Sequence, residues 1–508
     1  MEKLDNKKVL ISVRNLKQYF PVRGKRGAFV KANDGISLDI YQGETVGIVG
    51  ESGCGKSTLG RVLLQLYKQT DGETIYYGKS IDDIAPKYVL DIYKNLERRC
   101  AKTKEDIKKS ELLDAEYEKL EKETAGSSDK DKLSKLYTKL NEKNSAKKLA
   151  LSEYLAIVRL VGGFYVANDF KEASDVLVDY YNAVLSKRKL NNKISDTELE
   201  IEDAKFYKKN TDALTKNLDG LNKELEALEK VRLTKEEAVN SIRRKYEGDA
   251  LFQSYETQRD NGIDLARLKY DEMRHLRRDL QLIFQDPYSS LNPRLTVGQI
   301  VSEGPITHKY FKSNDERTQD YSMKLMESCG LAPYMIHRYP HQFSGGQRQR
   351  IGIARALSVK PKFVVCDEAV SALDVSIQSQ IINLLQELKN QENLTYMFIS
   401  HDLSVVKYIS DRIAVMYLGN IVELADSAEM FENPMHFYTK ALLSAIPTTD
   451  VEVKKEKILL EGDIPSPVNP PKGCKFNTRC TGATEICRQV VPELRELKPG
   501  HFVACHVY

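Results

Sequence analysis

Short apolar runs recur before about residue 80 and after about residue 275, and each is ended by glycine or by polar residues. Such runs occupy Thr45–Val49, residues 363–366 and Thr395–Ile399, and a further run closes at Phe284. A continuous apolar run of this length predicts a strand that is buried on both faces of a sheet. Residues 57–66, a short way after the first run, predict a helix. Alternating strands and helices indicate an α/β core.

The middle of the chain has a different pattern. Residues 87–286 contain no proline and are rich in Lys, Glu, Leu and Tyr. Leucines spaced alternately four and three residues apart predict the apolar seam of a coiled coil; they are Leu214, Leu218, Leu221, Leu225 and Leu228. Shorter seams occur on both sides of a predicted turn at residues 125–129; they contain Leu113, Tyr117 and Leu120, and then Leu133, Leu136 and Leu140. These shorter seams are the nearest candidates within the chain to pair with the leucine seam of residues 214–228.

About 190 residues therefore separate the two halves of the α/β core, far more than a plain loop in a compact domain. Residues 151–190 within this insert are more apolar and more aromatic than the rest of it. They predict a small helical core at the end of a coiled-coil arm. A solvated helical spacer and a partner-binding arm both remain open as roles for the insert.

Composition limits the classes of function. The chain has 508 residues, which is too long for one core. Its 77 basic and 73 acidic residues give a net charge of only +4, so no nucleic-acid partner is predicted. No run approaches the 18 apolar residues that would predict a membrane span. Residues 1–10 are charged and do not resemble a signal peptide. We expect a cytosolic protein, peripheral to any membrane it serves.

A phosphate-binding loop follows the strand Thr45–Val49. The sequence from Gly50 to Thr58 fits Gly-x4-Gly-Lys-[Ser/Thr], and the predicted helix begins directly after it. Glycines allow backbone N–H groups to surround phosphates, the lysine adds a positive charge, and the serine hydroxyl is a ligand for Mg²⁺. The candidate nucleotide-binding residues here are Gly50, Ser52, Gly53, Gly55, Lys56, Ser57 and Thr58, with Ser57 also a Mg²⁺ candidate.

Further polar residues stand where strands end or helices begin. Ser344-Gly-Gly-Gln347 precedes a helical pattern, which makes it a second candidate phosphate site. Asp367 and Glu368 end one apolar run, and His401 follows another closely. Ligand chemistry in open α/β sheets lies at the carboxyl ends of strands. We therefore expect Asp367 to hold Mg²⁺ and Glu368 to activate the attacking water.

The order of these motifs resembles that of the ATPase subunits of ABC transporters. The resemblance implies a helical subdomain at residues 295–339, a Q-loop at Gln285 that also serves Mg²⁺, a D-loop at Asp374 and an H-loop at His401. It makes Gln285 and His401 catalytic candidates beside Glu368. It also implies a head-to-tail dimer in which the other subunit's nucleotide meets the signature residues Ser344, Gly345, Gly346 and Gln347. Phe343 replaces the usual leucine before that signature and stays apolar.

An adenine base needs an aromatic platform, which the resemblance places near the first strands. Phe20 is the candidate, and Tyr19 and Phe29 are its rivals. A role in core packing is an equal alternative for each of the three rings.

Four cysteines occur close to the end of the chain. Cys474, Cys480, Cys487 and Cys505 are separated by five, six and seventeen residues. A cytosolic setting argues against disulfides, and the spacing leaves zinc and an iron–sulfur cluster open.

Residues 10–80 and 275–508 resemble the ATPases of oligopeptide and dipeptide permeases. Residues 284–294, 339–350 and 473–480 contain the matching phrases, and Gly-Gly-Gln-Arg-Gln-Arg at residues 345–350 fits the F-type subunit. Some members of that family carry a C-terminal [4Fe-4S] cluster, so the resemblance implies such a cluster on the four cysteines, with zinc as the alternative. The insert lies outside the resemblance.

The resemblance implies an ATP-hydrolysing subunit of a peptide importer, peripheral at the cytoplasmic face of the membrane. Its expected partners are a related ATPase subunit, two membrane permeases and an extracytoplasmic peptide-binding protein. The predicted domains are residues 1–85 and 271–430 for the ATPase core, 86–270 for the helical insert and 431–508 for the cysteine-rich extension. The alternative is an SMC-type DNA-maintenance ATPase or another non-transport ABC ATPase. In SMC-type proteins the coiled coil follows the Q-loop, whereas this insert precedes Gln285.

Overall fold

The computed structural model describes residues 7–124, 130–446 and 457–508. Over these residues the strands form one eight-stranded and one four-stranded sheet. The strands, in chain order, are β1 (Val9–Pro21), β2 (Phe29–Tyr41), β3 (Thr45–Val49), β4 (Asp71–Tyr76), β5 (Ile263–Asp264), β6 (Leu280–Ile283), β7 (Phe363–Asp367), β8 (Thr395–Ile399), β9 (Arg412–Tyr417), β10 (Asn420–Asp426), β11 (Arg495–Lys498) and β12 (His501–Val503).

The described helices fall into three groups along the chain. The first part of the core and the insert contain α1 (Lys56–Leu63), α2 (Ile81–Ile84), α3 (Lys87–Lys94), α4 (Leu96–Thr124), α5 (Lys130–Val161), α6 (Phe170–Phe206), α7 (Asp212–Arg244) and α8 (Ala250–Glu256). The rest of the core contains α9 (Tyr270–Leu276), α10 (Val297–Thr307), α11 (Glu316–Ser328), α12 (Gly345–Leu357), α13 (Val375–Glu392) and α14 (Leu403–Ile409). The C-terminal part contains α15 (Ser427–Glu432) and α16 (Phe437–Ser444).

The eight-stranded sheet has the order β11-β12-β10-β9-β3-β8-β7-β6. The strands β9, β3, β8, β7 and β6 pair in parallel, and the remaining strands are antiparallel. Every residue of β3, β7 and β8 is buried. Along β7, Phe363 and Val365 enter one apolar core, while Val364 and Cys366 enter the other. Side chains alternate across a strand, so an uninterrupted apolar run fills a core on each face, as the sequence predicts.

The four-stranded antiparallel sheet holds both ends of the insert. Its order is β2-β1-β4-β5, and β5 pairs with β4 through Ile75–Asp264 and Tyr76–Ile263. Residues 263 and 264 fall inside the predicted insert of 86–270, yet they belong to this sheet. The chain thus leaves the sheet at β4 and returns to the neighbouring position at β5.

Two long helical hairpins make up most of the insert. The helix α4 packs along α5, and α6 packs along α7. The leucine seam from Leu214 to Leu228 lies on α7, and its residues are less exposed than their neighbours. The prediction that this seam pairs with the seams near Leu113 and Leu133 is wrong, because α6 covers it and α4 pairs with α5 instead. The predicted turn at residues 125–129 lies outside the described residues.

The aromatic part of the insert forms a core where the two hairpins meet. Phe164, Tyr165, Tyr181 and Phe252 are buried there with Cys100 and other apolar residues from α3 to α8. This core lies at the base of the hairpins, beside Ala85, and not at the end of an arm as predicted. The order of the helices explains this position, because α5 runs back to the base of the hairpins and most of the aromatic residues follow α5 in the chain.

Contacts tie the insert to other parts of the molecule. Arg159 of α5 pairs with Glu73 of β4 at 3.4 Å, and Tyr181 donates a hydrogen bond to the Ala85 carbonyl at 2.7 Å. At the far end of α6, Arg317 of α11 pairs with Asp203 at 2.9 Å. The insert therefore bridges the antiparallel sheet and the helix α11.

One helical stretch, Ser134–Val166, has the length and composition of a membrane span. More than half of its most apolar window, 56%, is buried within the protein. Ile157, Val158 and Val161 of this stretch pack into the core at the base of the hairpins. Its apolar character is therefore explained by packing inside the fold.

Candidate nucleotide-binding site

The loop between β3 and α1 depends on its glycines. Gly50, Gly53 and Gly55 have φ values of 152°, 80° and 99°, which favour glycine. A Cβ atom at Gly50 would lie 2.2 Å from the Met416 carbonyl oxygen, and one at Gly55 would lie 2.1 Å from that of Ala32. The loop thus passes too close to the surrounding backbone for a larger residue.

The lysine of this loop is folded into it. Lys56 is the first residue of α1, one position earlier than predicted, and is only 5% exposed. Its Nζ donates hydrogen bonds to the carbonyl oxygens of Gly50 at 2.7 Å and Glu51 at 3.1 Å. Ser57 and Thr58 follow in the first turn of α1, and Ser52 is exposed. The charge and the helix N-terminus therefore face the same concave loop, as anion binding requires.

Three predicted catalytic side chains converge at the ends of β6, β7 and β8. The Gln285 amide donates to Glu368 Oε2 at 2.7 Å, and His401 Nδ1 lies 3.6 Å from the same oxygen. Glu368 has a positive φ of 47°, an uncommon conformation for a non-glycine residue that recurs at functional sites. The parallel sheet thus brings together residues that are far apart in the sequence.

Asp367, at the tip of β7, is 1% exposed. Its Oδ2 accepts a hydrogen bond from Arg61 of α1 at 3.3 Å. Its Oδ1 is buried and has no hydrogen-bond partner within the described ranges. A buried carboxylate oxygen rarely stays unsatisfied, and oxygen ligands suit Mg²⁺. Together with the Ser57 hydroxyl, this oxygen fits a Mg²⁺ site.

The second candidate phosphate site begins the helix α12. The Ser344 hydroxyl accepts from the Gln347 N–H at 3.3 Å, while the Gln347 side chain accepts from the Ser344 N–H at 3.1 Å. This reciprocal cap explains the Ser-x-x-Gln spacing. A Cβ atom at Gly346 would lie 2.5 Å from Ile377 Cγ2, whereas Gly345 has more room.

Asp374 caps the neighbouring helix α13. Its carboxylate accepts from the Ile377 N–H at 3.0 Å and from the Ser376 hydroxyl at 2.7 Å. These hydrogen bonds lower the pKa of Asp374, the Ile377 N–H contributing most. A structural cap accounts for this aspartate within one chain, and a D-loop role stays a prediction.

The candidate adenine platform has a neighbour that was not predicted. Phe20 packs edge-to-face against Tyr67, with ring centroids 5.4 Å apart. The Tyr19 hydroxyl donates to Asp34 at 2.5 Å, while Phe29 is 45% exposed. Tyr67 and Arg61 are the residues near the site that sequence reasoning missed. Neither belongs to a motif, and their contacts join segments distant in the chain, so no local signal could have found them.

The four C-terminal cysteines lie near one another. Burial is the main cause that raises the pKa of the Cys474 thiol to about 12, and the charges of Cys487, Cys480 and Cys505 contribute to this rise. Backbone N–H groups point at the sulfurs; the Val507 N–H lies 3.5 Å from Cys505 Sγ. Such N–H groups favour the thiolate.

The described residues contain no group of three or more His, Cys, Asp or Glu arranged to hold a metal ion. The four sulfurs therefore do not form a ligand set in this arrangement. The chemistry of the donors still fits a thiolate-bound metal or cluster.

Comparisons with known proteins agree with this geometry. Residues 33–157 and 237–371 match the ABC transporter family, and residues 422–487 match the C-terminal region of oligopeptide/dipeptide transporters. The oligopeptide transport ATP-binding protein AppF of Bacillus subtilis is 45% identical over 511 residues, which cover 99% of this chain and 98% of that protein. The chain belongs to the oligopeptide-transporter family of ABC ATPases.

Another relative matches about half of the chain. OppF of Salmonella typhimurium is 53% identical over 246 residues, covering 48% of this chain and 73% of OppF. Because the match to AppF covers nearly the whole of both chains, AppF has a counterpart of the insert. A nucleotide-free cassette from an ABC transporter is 15% identical with a TM-score of 0.40 over 82% of this chain and 92% of its own.

Proposed function

We propose that this chain is the ATP-hydrolysing subunit of an importer for oligopeptides or dipeptides. The convergence of Gln285, Glu368 and His401 at one edge of the sheet carries the proposal, because it supplies a base and two orienting groups at one point. The relatives named as oligopeptide transport ATP-binding proteins support the choice of substrate.

Each group of residues in the site has a separate role in ATP hydrolysis. The P-loop N–H groups and Lys56 bind the β- and γ-phosphates. Ser57, Asp367 and Gln285 would hold Mg²⁺, which neutralises phosphate charge when bound. Glu368 accepts the proton of the attacking water, and the Gln285 amide and His401 orient that water and the γ-phosphate. The adenine stacks on Phe20, with Tyr67 at its edge.

Two subunits complete the sites. Ser344, Gly345, Gly346 and Gln347 face the nucleotide of the other subunit across a head-to-tail dimer, and Asp374 lies at the same interface. The other subunit is a related ATPase. Two membrane permeases and an extracytoplasmic binding protein complete the importer, so the chain works at the cytoplasmic face of the membrane.

The C-terminal cysteines bind a [4Fe-4S] cluster in this proposal, with zinc as the alternative. Support comes from the mutual charge effects of the four thiols and from the N–H groups that face their sulfurs. The helical insert, including its coiled-coil-like hairpins, is an accessory region of the same subunit.

Nucleotide binding and peptide uptake test the function together. Lys56→Ala should abolish binding of a fluorescent ATP analogue to the purified chain, because it removes the charge inside the P-loop. In the native organism, Glu368→Gln should stop uptake of a labelled oligopeptide while uptake of a free amino acid continues. Normal oligopeptide uptake in that strain would reject the transport role, even if the purified chain hydrolyses ATP.

A further inference from the structure

The segment between the first two C-terminal cysteines, residues 474–480, packs directly against the P-loop. We call it the cysteine segment. Arg479, next to Cys480, makes a bidentate pair with Glu51, the residue after Gly50. The two N–O distances are 2.7 and 3.0 Å, and the Arg479 side chain is only 7% exposed. Bidentate pairs of this kind define geometry as well as contributing energy.

A second contact reaches the backbone of the same P-loop residue. The ring of Phe476 packs on those of Tyr417 and Tyr438, at centroid distances of 5.2 and 5.4 Å. The Tyr438 hydroxyl accepts a hydrogen bond from the Glu51 N–H at 2.8 Å. The cysteine segment therefore supports both the side chain and the backbone of Glu51.

A third contact reaches the other end of the loop. Lys475, next to Cys474, donates to Asp34 Oδ2 at 3.0 Å and to the Leu418 carbonyl at 2.9 Å. Asn33, the neighbour of Asp34 on β2, donates to the Gly55 carbonyl at 3.1 Å. Gly55 is the residue immediately before α1. The cysteine segment is thus connected to both ends of the P-loop.

We propose that the cysteine segment positions the P-loop for nucleotide, with Arg479 and Lys475 as positioning residues. A glycine-rich loop loses conformational entropy when it closes around phosphates, and a loop already held in shape loses less. ATP affinity and the order of the C-terminal extension are therefore coupled, and the coupling acts in both directions. The inference rests on the proposed function, since it requires ATP at the P-loop.

Substitution of the arginine tests the first half of the coupling. Arg479→Gln should raise the Kd for ATP at least about fivefold, the lower end of the usual coupling range, while kcat changes much less. Lys498→Gln is the matched control, because it removes a pair with Glu429 in the same extension, away from the P-loop. An unchanged Kd in Arg479→Gln would overturn the proposal.

An exchange of the two charges distinguishes loss of the Arg479–Glu51 pair from a general loss of stability. Arg479→Glu and Glu51→Arg should each weaken ATP binding, and the double variant should recover part of the affinity. A structural defect at either position would give no such recovery. Additive losses in the double variant would contradict direct positioning through this pair.

Hydrogen exchange tests the reverse direction. ATP should slow amide exchange in residues 473–488 of the wild-type full chain, and Arg479→Gln should lose that protection. Equal protection in both proteins would overturn the coupling. Lys56→Ala separates the two proposals. If the wild-type protein binds ATP no better than Lys56→Ala does, the proposed function fails. If the wild-type protein binds ATP and Arg479→Gln binds it equally well, only this inference is rejected.

Discussion

At the scale of single residues, we predict that hydrolysis depends most directly on Glu368. Glu368→Gln keeps the shape of the side chain but removes its ability to accept a proton. Steady-state hydrolysis should fall by at least about 100-fold, as expected for loss of a general base, while ATP binding persists. Phosphate release and equilibrium binding of a fluorescent ATP analogue measure the two quantities. Glu387→Gln, on the exposed face of α13, is the control; normal turnover in Glu368→Gln would remove the base assignment.

The terminal cysteines give a second residue-scale prediction. Protein purified without oxygen should be brown, with a broad visible absorption and about four iron atoms for each chain. Cys480→Ser and Cys487→Ser should each lose the colour, because a cluster needs all four thiolates. Cys329→Ser is the control, since that buried thiol lies in the helical subdomain's core. A colourless wild type with one zinc for each chain would favour the alternative metal.

Motif residues were predictable from the sequence because their chemistry needs set residue types at short spacing. The glycines of the P-loop and the reciprocal cap of Ser344 and Gln347 are local features of this kind. Arg61 and Arg479 were not predictable, because each acts on a carboxylate hundreds of residues away. Only the fold determines such pairs.

At the scale of elements, Glu73 of β4 marks the junction with the insert. Burial raises its pKa from 4.5 to about 7, although Arg159 opposes the shift. The folded state thus holds a proton that the unfolded state releases between these values. The contribution of this group to the free energy of unfolding is fully present below about pH 4.5 and is lost as the pH rises through about 7. The contribution is at most roughly 3 kcal/mol.

Glu73→Gln should therefore flatten the decline of unfolding free energy between about pH 4.5 and 7. Arg159 keeps Asp260 as a partner at 3.1 Å in this variant, so it is not left unpaired. Denaturant unfolding at several pH values measures the slope. Glu97→Gln, an exposed carboxylate of α4, should leave the slope unchanged. The same slope in Glu73→Gln and wild type would show that Glu73 does not cause it.

The insert should be removable from the core. Replacement of residues 90–260 by a Gly/Ser linker leaves β5 in place beside β4, so ATP binding and the core melting transition should persist. A deletion to residue 265 is the matched control, since it also removes Ile263 and Leu265, which are buried in the ATPase core. Each costs roughly 1.5–3 kcal/mol. Loss of ATP binding in the shorter deletion would show that the insert is part of the core.

Periodicity predicted elements better than it predicted their partners. The run Thr45–Val49 forms the strand expected of it, and the leucines of α7 share one face. A heptad seam predicts which face of a helix is buried, but it does not predict which other helix covers that face. Short connections made α6 the neighbour of α7, and the sequence alone did not distinguish this pairing from the predicted one.

At the scale of the whole molecule, the proposed dimer places the P-loop and the signature of each subunit at different nucleotides. We predict that full activity requires the related ATPase as partner. The purified chain should hydrolyse ATP slowly, and the co-purified pair should show cooperative hydrolysis. Ser344→Arg in this chain should block only the partner's site, leaving nucleotide binding at its own P-loop. Full, cooperative activity of the isolated chain would indicate a homodimer.

The length of α6 has a mechanical consequence. Its 37 residues span about 55 Å, from the core beside Ala85 to the pair between Asp203 and Arg317. Over that distance a rotation of one degree displaces the far end by about 1 Å. The helix joins the core at the base of the hairpins to α11, which precedes Ser344 in the chain. Fluorophores at its two ends would therefore report subdomain rotation as a change in energy transfer, without any label near the nucleotide.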